Sequence, residues 1–507
     1  MEAGAPNLLL IMADQLAAGW LPAYGHEVVQ APHLTALAEA GSVFERAYCA
    51  SPLCAPSRSA LLSGRLPSRT GVFDNAAEMP SSLPTVTHQL RACGHSTCLV
   101  GKMHFVGPDQ LHGFEERLTT DIYPADFNWT PDWRLPTSAR LPWYHTMESV
   151  MRPGVATASM QQDYDDEVAF HAVRKLHDLA RSGPDRPFFL CASFSHPHDP
   201  WELRARYWDR YDPEAIELPA VGPVPLEEAD PHSRRLRQMC GADELEPTDA
   251  EVRRARHGYY AAISYLDDRI GEILGALRDT GLDGDTVIVF TADHGEMLGE
   301  KGLWYKMSFL DPAARVPLIV RVPGAAPQRI ADPVSLLDLA PTLVDLVGED
   351  AELEGDGASL APLLAGGARS APVVAEYLAE GVTAPAVMVR RGPHKLIACP
   401  GDPDQLYDLD ADPLELTNLA GLDPVHAELR AEVERRWDLT ALERRVRASQ
   451  RERRLVVRAL DRGRFTSWDF TPDVDGSDRY VRTRADLYQL QRRARLDAPA
   501  VAPGPLS

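Results

Sequence analysis

The sequence predicts an α/β fold: a large mixed, mostly parallel sheet sandwiched by helices, a smaller C-terminal antiparallel-sheet subdomain, and an extended C-terminal tail. Two observations carry this. Short apolar runs without polar alternation recur, each leading into a polar cluster, as strands buried on both faces do. Stretches with helical spacing lie between them, and strand–helix alternation builds a helix-covered sheet.

In chain order, residues 8–12 lead into Asp14, residues 97–100 into Gly101-Lys102, residues 188–194 into His196-Pro197-His198, and residues 286–290 into Asp293-His294. Ligands in such folds gather outside the carboxyl ends of the strands. Four strand ends carrying Asp, Lys and His therefore predict one shared site. Tyr260, Ile263, Leu266, Ile270, Ile273, Leu274 and Leu277 form a helical stripe, and Leu336, Leu339, Leu343 and Leu346 form another before Gly348. After Gly366-Gly367 short strands are expected at 373–378, 386–389, 395–398 and 405–409, with a helix near 424–436. The predicted units are a catalytic domain over 1–365, a smaller subdomain over 366–450, and a tail over 451–507.

The 507 residues are 44% hydrophobic and 25% charged, the profile of a globular protein with a large core. A net charge of −22 argues against nucleic acid and anionic membranes as partners. No apolar run approaches the ~18 residues that span a bilayer. Residues 1–6 carry no basic side chain and residues 8–12 are too short for a signal core, so a cytoplasmic location is expected. The seven cysteines include no C-x-x-C pair and are expected to be reduced, small hydrophobes, with Cys54 the exception. Only five of the 52 basic residues are lysine, namely Lys102, Lys175, Lys301, Lys306 and Lys395. A chain that writes nearly every positive charge as Arg keeps Lys where an ammonium is needed. Residues 451–507 hold 12 Arg against 8 acidic residues, a basic tail expected to pack between subunits of a homo-oligomer, a tetramer or dimer.

The strongest local signal is Cys54-Ala55-Pro56-Ser57-Arg58, followed by Gly64-Arg65. It resembles the signature of the formylglycine-dependent sulfatase family, within the alkaline phosphatase superfamily. The resemblance implies that a maturation enzyme oxidises Cys54 to formylglycine. A hydrated aldehyde carries two hydroxyls on one carbon: one attacks sulfur, and loss of the proton from the other expels sulfate. Ser would be left as an inert ester. Arg58 is expected to hold the hydrated aldehyde.

Asp14-Gln15, Gly101-Lys102-Met103-His104, His196-Pro197-His198-Asp199-Pro200, Asp293-His294-Gly295 and Asp338-Leu339-Ala340-Pro341-Thr342 also resemble blocks of that family. Its choline sulfatase subgroup is resembled through Asp74-Asn75-Ala76-Ala77-Glu78, the run from Gly101 through Phe127, and the extended tail. What the resemblance implies is hydrolysis of choline-O-sulfate, a small-molecule sulfate ester, to choline and sulfate. Asp14, Asp293, His294 and the modified Cys54 would hold a divalent metal. Oxygen-rich ligation implies calcium, and the imidazole also admits manganese. Gln15 stands where many sulfatases have a second Asp, which leaves its place among the ligands open.

Lys102, His104, His198 and Lys306 match family positions around the sulfate. An alkyl alcohol leaves poorly without a proton, so His198, then Lys306, are the candidate general acids. His196 is expected to be structural. Trp129 and His145, in a segment crowded with Trp133, Trp143 and Tyr144, would line a pocket for the quaternary ammonium. Asn75 would bond the sulfate or residue 54, and Asp497 would supply a counter-charge from the tail. Two other readings stand beside this one. A phosphonate or phosphate ester hydrolase also uses Asp-Gln and Asp-His-Gly blocks. A binding protein would keep Cys54 unmodified.

Overall fold

A computed structural model describes residues 5–464 except 184 and 350–353, together with 468–472 and positions 486, 489, 491, 492 and 495. Eight strands form the main sheet: β1 Asn7–Ala13, β2 Ser42–Phe44, β3 Ser96–Gly101, β4 Glu116–Arg117, β5 Phe188–Ser193, β6 Thr286–Ala292, β7 Leu318–Arg321 and β8 Gln328–Ile330. Their order is β8-β2-β7-β6-β1-β5-β3-β4. Only β7 runs against the others, antiparallel to both β6 and β2. Every residue of β1, β5 and β6 is buried. That is why these strands read as unbroken apolar runs: helices cover both faces, so neither face needs polar residues.

Register decides where their ends fall. Met12 lies opposite Ser193 and Thr291, Ala13 opposite Ala292, and Gly101 opposite Ser193. The residues that follow these four strands therefore emerge at one edge of the sheet.

Flanking the sheet are α1 Pro32–Glu39, α2 Cys54–Ser63, α3 Val86–Ala92, α4 Met160–Ser182, α5 Asp249–Asp279 and α6 Leu339–Leu346. The expected stripe from Tyr260 to Leu277 is buried along α5. Thr248 starts that helix with a capping box closed by Glu251. Helix α4 packs on α5, and α6 packs on α2 and α3.

The smaller sheet is antiparallel, as expected: β9 Val373–Tyr377, β10 Ala386–Arg391, β11 His394–Ala398 and β12 Gln405–Asp408. It is followed by α7 Val425–Arg436 and α8 Leu439–Leu460. Its core is shared with the main unit, since Ala50, Ala60, Leu66 and Phe73 pack with Val374, Leu396, Leu429 and Val446. Helix α8 runs unbroken through position 451, where the tail was expected to begin. Trp468 packs edge-on against Phe127 at 5.1 Å. Tyr480, Tyr488 and Asp497 lie outside the described residues. No disulfide joins the seven cysteines, and no described helix is long and apolar enough to cross a membrane.

Candidate active site

Cys54 opens helix α2, whose ten residues are all buried. Pro56 sits in the first turn, where its missing N–H leaves no intrahelical bond unmade. Gly64 closes the helix in the left-handed region, at φ 66°. The positive end of the helix dipole thus lies at residue 54. Asn75 fastens this end: its Oδ1 accepts from Ala55 N at 3.0 Å.

Arg58, four residues on, turns its fully buried guanidinium under the strand ends. It donates to Asp293 Oδ2 (2.7 Å), Asp14 Oδ2 (3.2 Å), Ser193 Oγ (2.8 Å) and Lys102 O (2.6 Å). A guanidinium has the fork that can hold four acceptors at once.

Lys102 follows Gly101, whose φ is 105°. A Cβ at position 101 would stand 1.8 Å from Ser193 O, so only glycine lets β3 end this close to β5. Lys102 then reaches back to pair with Asp14 Oδ2, its ammonium 4.1 Å from the centre of the Tyr123 ring. Asp14 is fully buried. Burial opposes its charge, but the Lys102, Arg58 and Lys306 cations hold it well below the usual carboxylate range. Burial and Asp14 push the Cys54 thiol up, yet Lys102, Lys306 and His294 prevail and lower it well below the usual thiol value.

His294 Nε2 lies 3.2 Å from Cys54 Sγ and 3.7 Å from Asp14 Oδ1. Asp14, Cys54, Asp293 and His294 each present one donor atom, all within 4.8 Å of one another and all buried. Two carboxylates with an imidazole and a residue-54 donor fit a divalent metal. Gln15 is turned elsewhere. Its Oε1 accepts from Lys306 Nζ at 2.6 Å, and its Nε2 donates to Glu296 Oε2 at 2.6 Å.

Lys306 Nζ also donates to His198 Nε2 at 2.8 Å and lies 3.4 Å from Cys54 Sγ. Burial opposes its charge, but Cys54, Asp14 and Asp199 raise its pKa above the ordinary lysine value. Burial and Lys306 push His198 down to about 3, which leaves it neutral at physiological pH. Its Nδ1 donates to Asp199 O at 2.7 Å, so Nε2 is the acceptor. His196 is tied instead to Asp165 by Nδ1 at 2.6 Å.

His104 is 3% exposed, and neither of its ring nitrogens has a hydrogen-bond partner among the described residues. Its ring centre is 5.3 Å from that of Tyr123 and 6.0 Å from that of Trp129. Trp129 stacks with Trp143 at 6.2 Å. On the other side of His198, His145 lies 5.5 Å away and stacks on Tyr305 at 4.3 Å.

Several residues without a role in the sequence reading belong here. Tyr123 touches Lys102, His104, Trp129 and His198 and is the hub of the aromatic wall. Its place in the run through Phe127 was the available signal. Asp199 faces His198 and His145 and lay within the quoted His-Pro-His-Asp-Pro block. Glu380 is 5% exposed, and its Oε2 has no partner among the described residues. Burial and Asp74 push it up to about 7. Nothing local marked it, because it comes from the loop after β9 and reaches the site only through the fold.

This arrangement suits transfer of a small tetrahedral anion to residue 54, with buried cations on its oxygens. A family model described as Sulfatase matches residues 6–349. One for an N-sulphoglucosamine sulphohydrolase C-terminal region matches 299–443, and one for the C-terminal region of choline sulfatase enzymes matches 444–496. The chain belongs to the sulfatase family, enzymes that hydrolyse sulfate esters. A choline-sulfatase of Rhizobium meliloti (strain 1021) is 48% identical over 507 residues, 98% of this chain and 99% of that protein. An arylsulfatase K of Gallus gallus is 30% identical over 438 residues, 82% of this chain and 79% of that protein. Among solved structures, a phosphonate monoester hydrolase of Agrobacterium radiobacter superposes with a TM-score of 0.67 at 25% identity, over 87% of this chain and 96% of its own. A 2-O GAG sulfatase gives 0.65 at 25% identity, over 93% and 95%.

Proposed function

We propose that this sulfatase hydrolyses choline-O-sulfate to choline and sulfate. The observation that carries the reading is the adjacency of two unlike surfaces: a cluster of buried cations around Cys54 and, beside it, the aromatic wall of Tyr123, Trp129 and Trp143. Aromatic faces attract a quaternary ammonium, which cannot donate a hydrogen bond. Glu380, buried and with no partner for its Oε2 among the described residues, is the carboxylate we assign as its counter-charge. The 48% identity to a choline-sulfatase supports the same substrate.

A formylglycine at 54, made by a maturation enzyme, and a divalent metal, calcium on donor chemistry, would supply the nucleophile and neutralise sulfate charge. Asp14, Asp293 and His294, with residue 54, would hold the metal. Arg58 fixes both carboxylates and underpins residue 54. Lys102, His104 and Lys306 face the sulfate oxygens, with Asn75 anchoring the helix start. The hydrogen bonds favour Lys306 over His198 as the proton source: Lys306 carries the proton, while neutral His198 accepts from it and orients it. Trp129 and His145 line the leaving-group side.

A hydrolysis screen with choline sulfate, 4-nitrophenyl sulfate and a phosphonate monoester tests the assignment. A desolvated ammonium on an aromatic face gains roughly 0.5–2 kcal/mol. Trp129→Ala is therefore expected to cost choline sulfate about tenfold in kcat/KM, and the aryl sulfate far less. Equal losses would mean that the ammonium is recognised elsewhere. Preferred turnover of the phosphonate would favour the chemistry named for the Agrobacterium radiobacter structure.

A further inference from the structure

Between β4, which ends at Arg117, and the short helix Glu148–Met151, no helix or strand is present. The aromatic wall lies within this stretch. With no backbone ladder of its own, its conformation depends on what its side chains and turns are tied to. Helix α8 supplies many of these ties. Arg453 donates from Nη1 and Nη2 to the two oxygens of Asp74, both at 2.7 Å, and from Nη1 to Thr130 Oγ1 at 3.1 Å. One turn back, Gln450 Oε1 accepts from Trp133 N at 3.0 Å, and Arg447 donates to Trp133 O at 2.8 Å. Asp74 is fully buried, Thr130 is 2% exposed and Arg453 is 7% exposed.

The two groups that Arg453 joins are sequence neighbours of pocket residues. Asp74 precedes Asn75, which holds the start of the nucleophile helix, and Thr130 follows Trp129. We infer that Arg453 is a specificity-determining positioning residue: its guanidinium locks the Asn75 loop to the Trp129 loop, and so sets the distance between the sulfate end and the ammonium end of the pocket. This rests on the function proposed above. A forked, planar donor is needed, because one ammonium cannot meet both Asp74 oxygens and Thr130 in fixed directions.

The test compares wild type, Arg453→Met, Arg453→Lys, Thr130→Val and the double variant Asp74→Asn/Arg453→Met on choline sulfate and 4-nitrophenyl sulfate. The double variant removes both charges and strands no buried carboxylate. Arg453→Met is expected to lower kcat/KM for choline sulfate about tenfold, mostly through KM, and for the aryl sulfate less than about threefold. Arg453→Lys should fall between, and Thr130→Val should raise KM for choline sulfate alone. If Arg453→Met does not fold, the double variant and Thr130→Val carry the comparison. Equal losses on both substrates, or none on either, overturn the inference.

Wild-type preference between the two esters tests the function by itself. If the aryl sulfate is preferred, the substrate reading falls, and the coupling of Arg453→Met to Trp129→Ala on that ester decides the inference. A double loss no greater than the larger single loss supports positioning through Trp129. Full additivity refutes it.

Discussion

In the proposed reaction Lys306 and His198 divide one task between them. The ammonium is 2.8 Å from an imidazole nitrogen that burial and the ammonium itself keep unprotonated. Lys306→Met removes the proposed proton source, so its effect should depend on the leaving group. On an alkyl sulfate a loss of about 10²–10⁴-fold in kcat is expected, the range of general-acid catalysis. An activated aryl sulfate, which departs unaided, should lose much less. A loss independent of leaving group would make Lys306 a binding cation only. Removing Lys306 also removes a cause of His198's depression, so His198 in that variant should titrate nearer the ordinary histidine value, measurable by NMR. Asp293 meets Arg58 Nε at 2.7 Å and lies in the donor cluster with Asp14, Cys54 and His294. Asp293→Asn should lose most bound metal by elemental analysis, and full occupancy would remove it from the ligand set.

At the scale of elements, the ends of strands do the positioning. Lys102 is where it is because β3 ends against β5 at a glycine. Gly101→Ala must move either the Ser193 carbonyl or the turn, since the added carbon has no room and φ 105° is strained for alanine. The expected outcome is a lower melting temperature together with a loss of turnover larger than stability explains, because Ser193 also binds Arg58 and the turn carries Lys102. Unchanged kinetics in that variant would show that the lysine does not depend on this close approach.

At the scale of the whole molecule, the strand ends of the main sheet, the start of α2, the aromatic stretch before Glu148, Lys306 and the loop after β9 with Glu380 are gathered together, and helix α8 is tied to them through Arg453. The basic tail expected over 451–507, whose first ten residues lie in α8, belongs to this scale as well. On a chain of net charge −22, its 12 Arg against 8 acidic residues would suit contact with a second copy. Deleting residues 473–507 is expected to lower the mass measured by light scattering. An unchanged mass would leave the tail out of any subunit contact.

Much of this protein was legible in its sequence because the relevant physics is local. Apolar runs without alternation marked doubly covered strands, and the β1, β3, β5 and β6 ends named Asp14, Lys102, His198, Asp293 and His294. The Cys54–Arg58 signature named both residues, and the structure set them one helical turn apart, with Cys54 at the start of α2 and Arg58 beneath it. The sequence also separated the small antiparallel sheet from the large one. Only the tertiary structure decided what depends on register and distance. It turned Gln15 toward Lys306, ordered the bond from Lys306 to His198, brought Glu380 beside Tyr144 and Trp133, and carried Arg453 across 379 positions to Asp74. Such pairings leave no periodic trace in the chain, because a side chain's partner across the fold is set by how the elements pack and not by its neighbours in sequence.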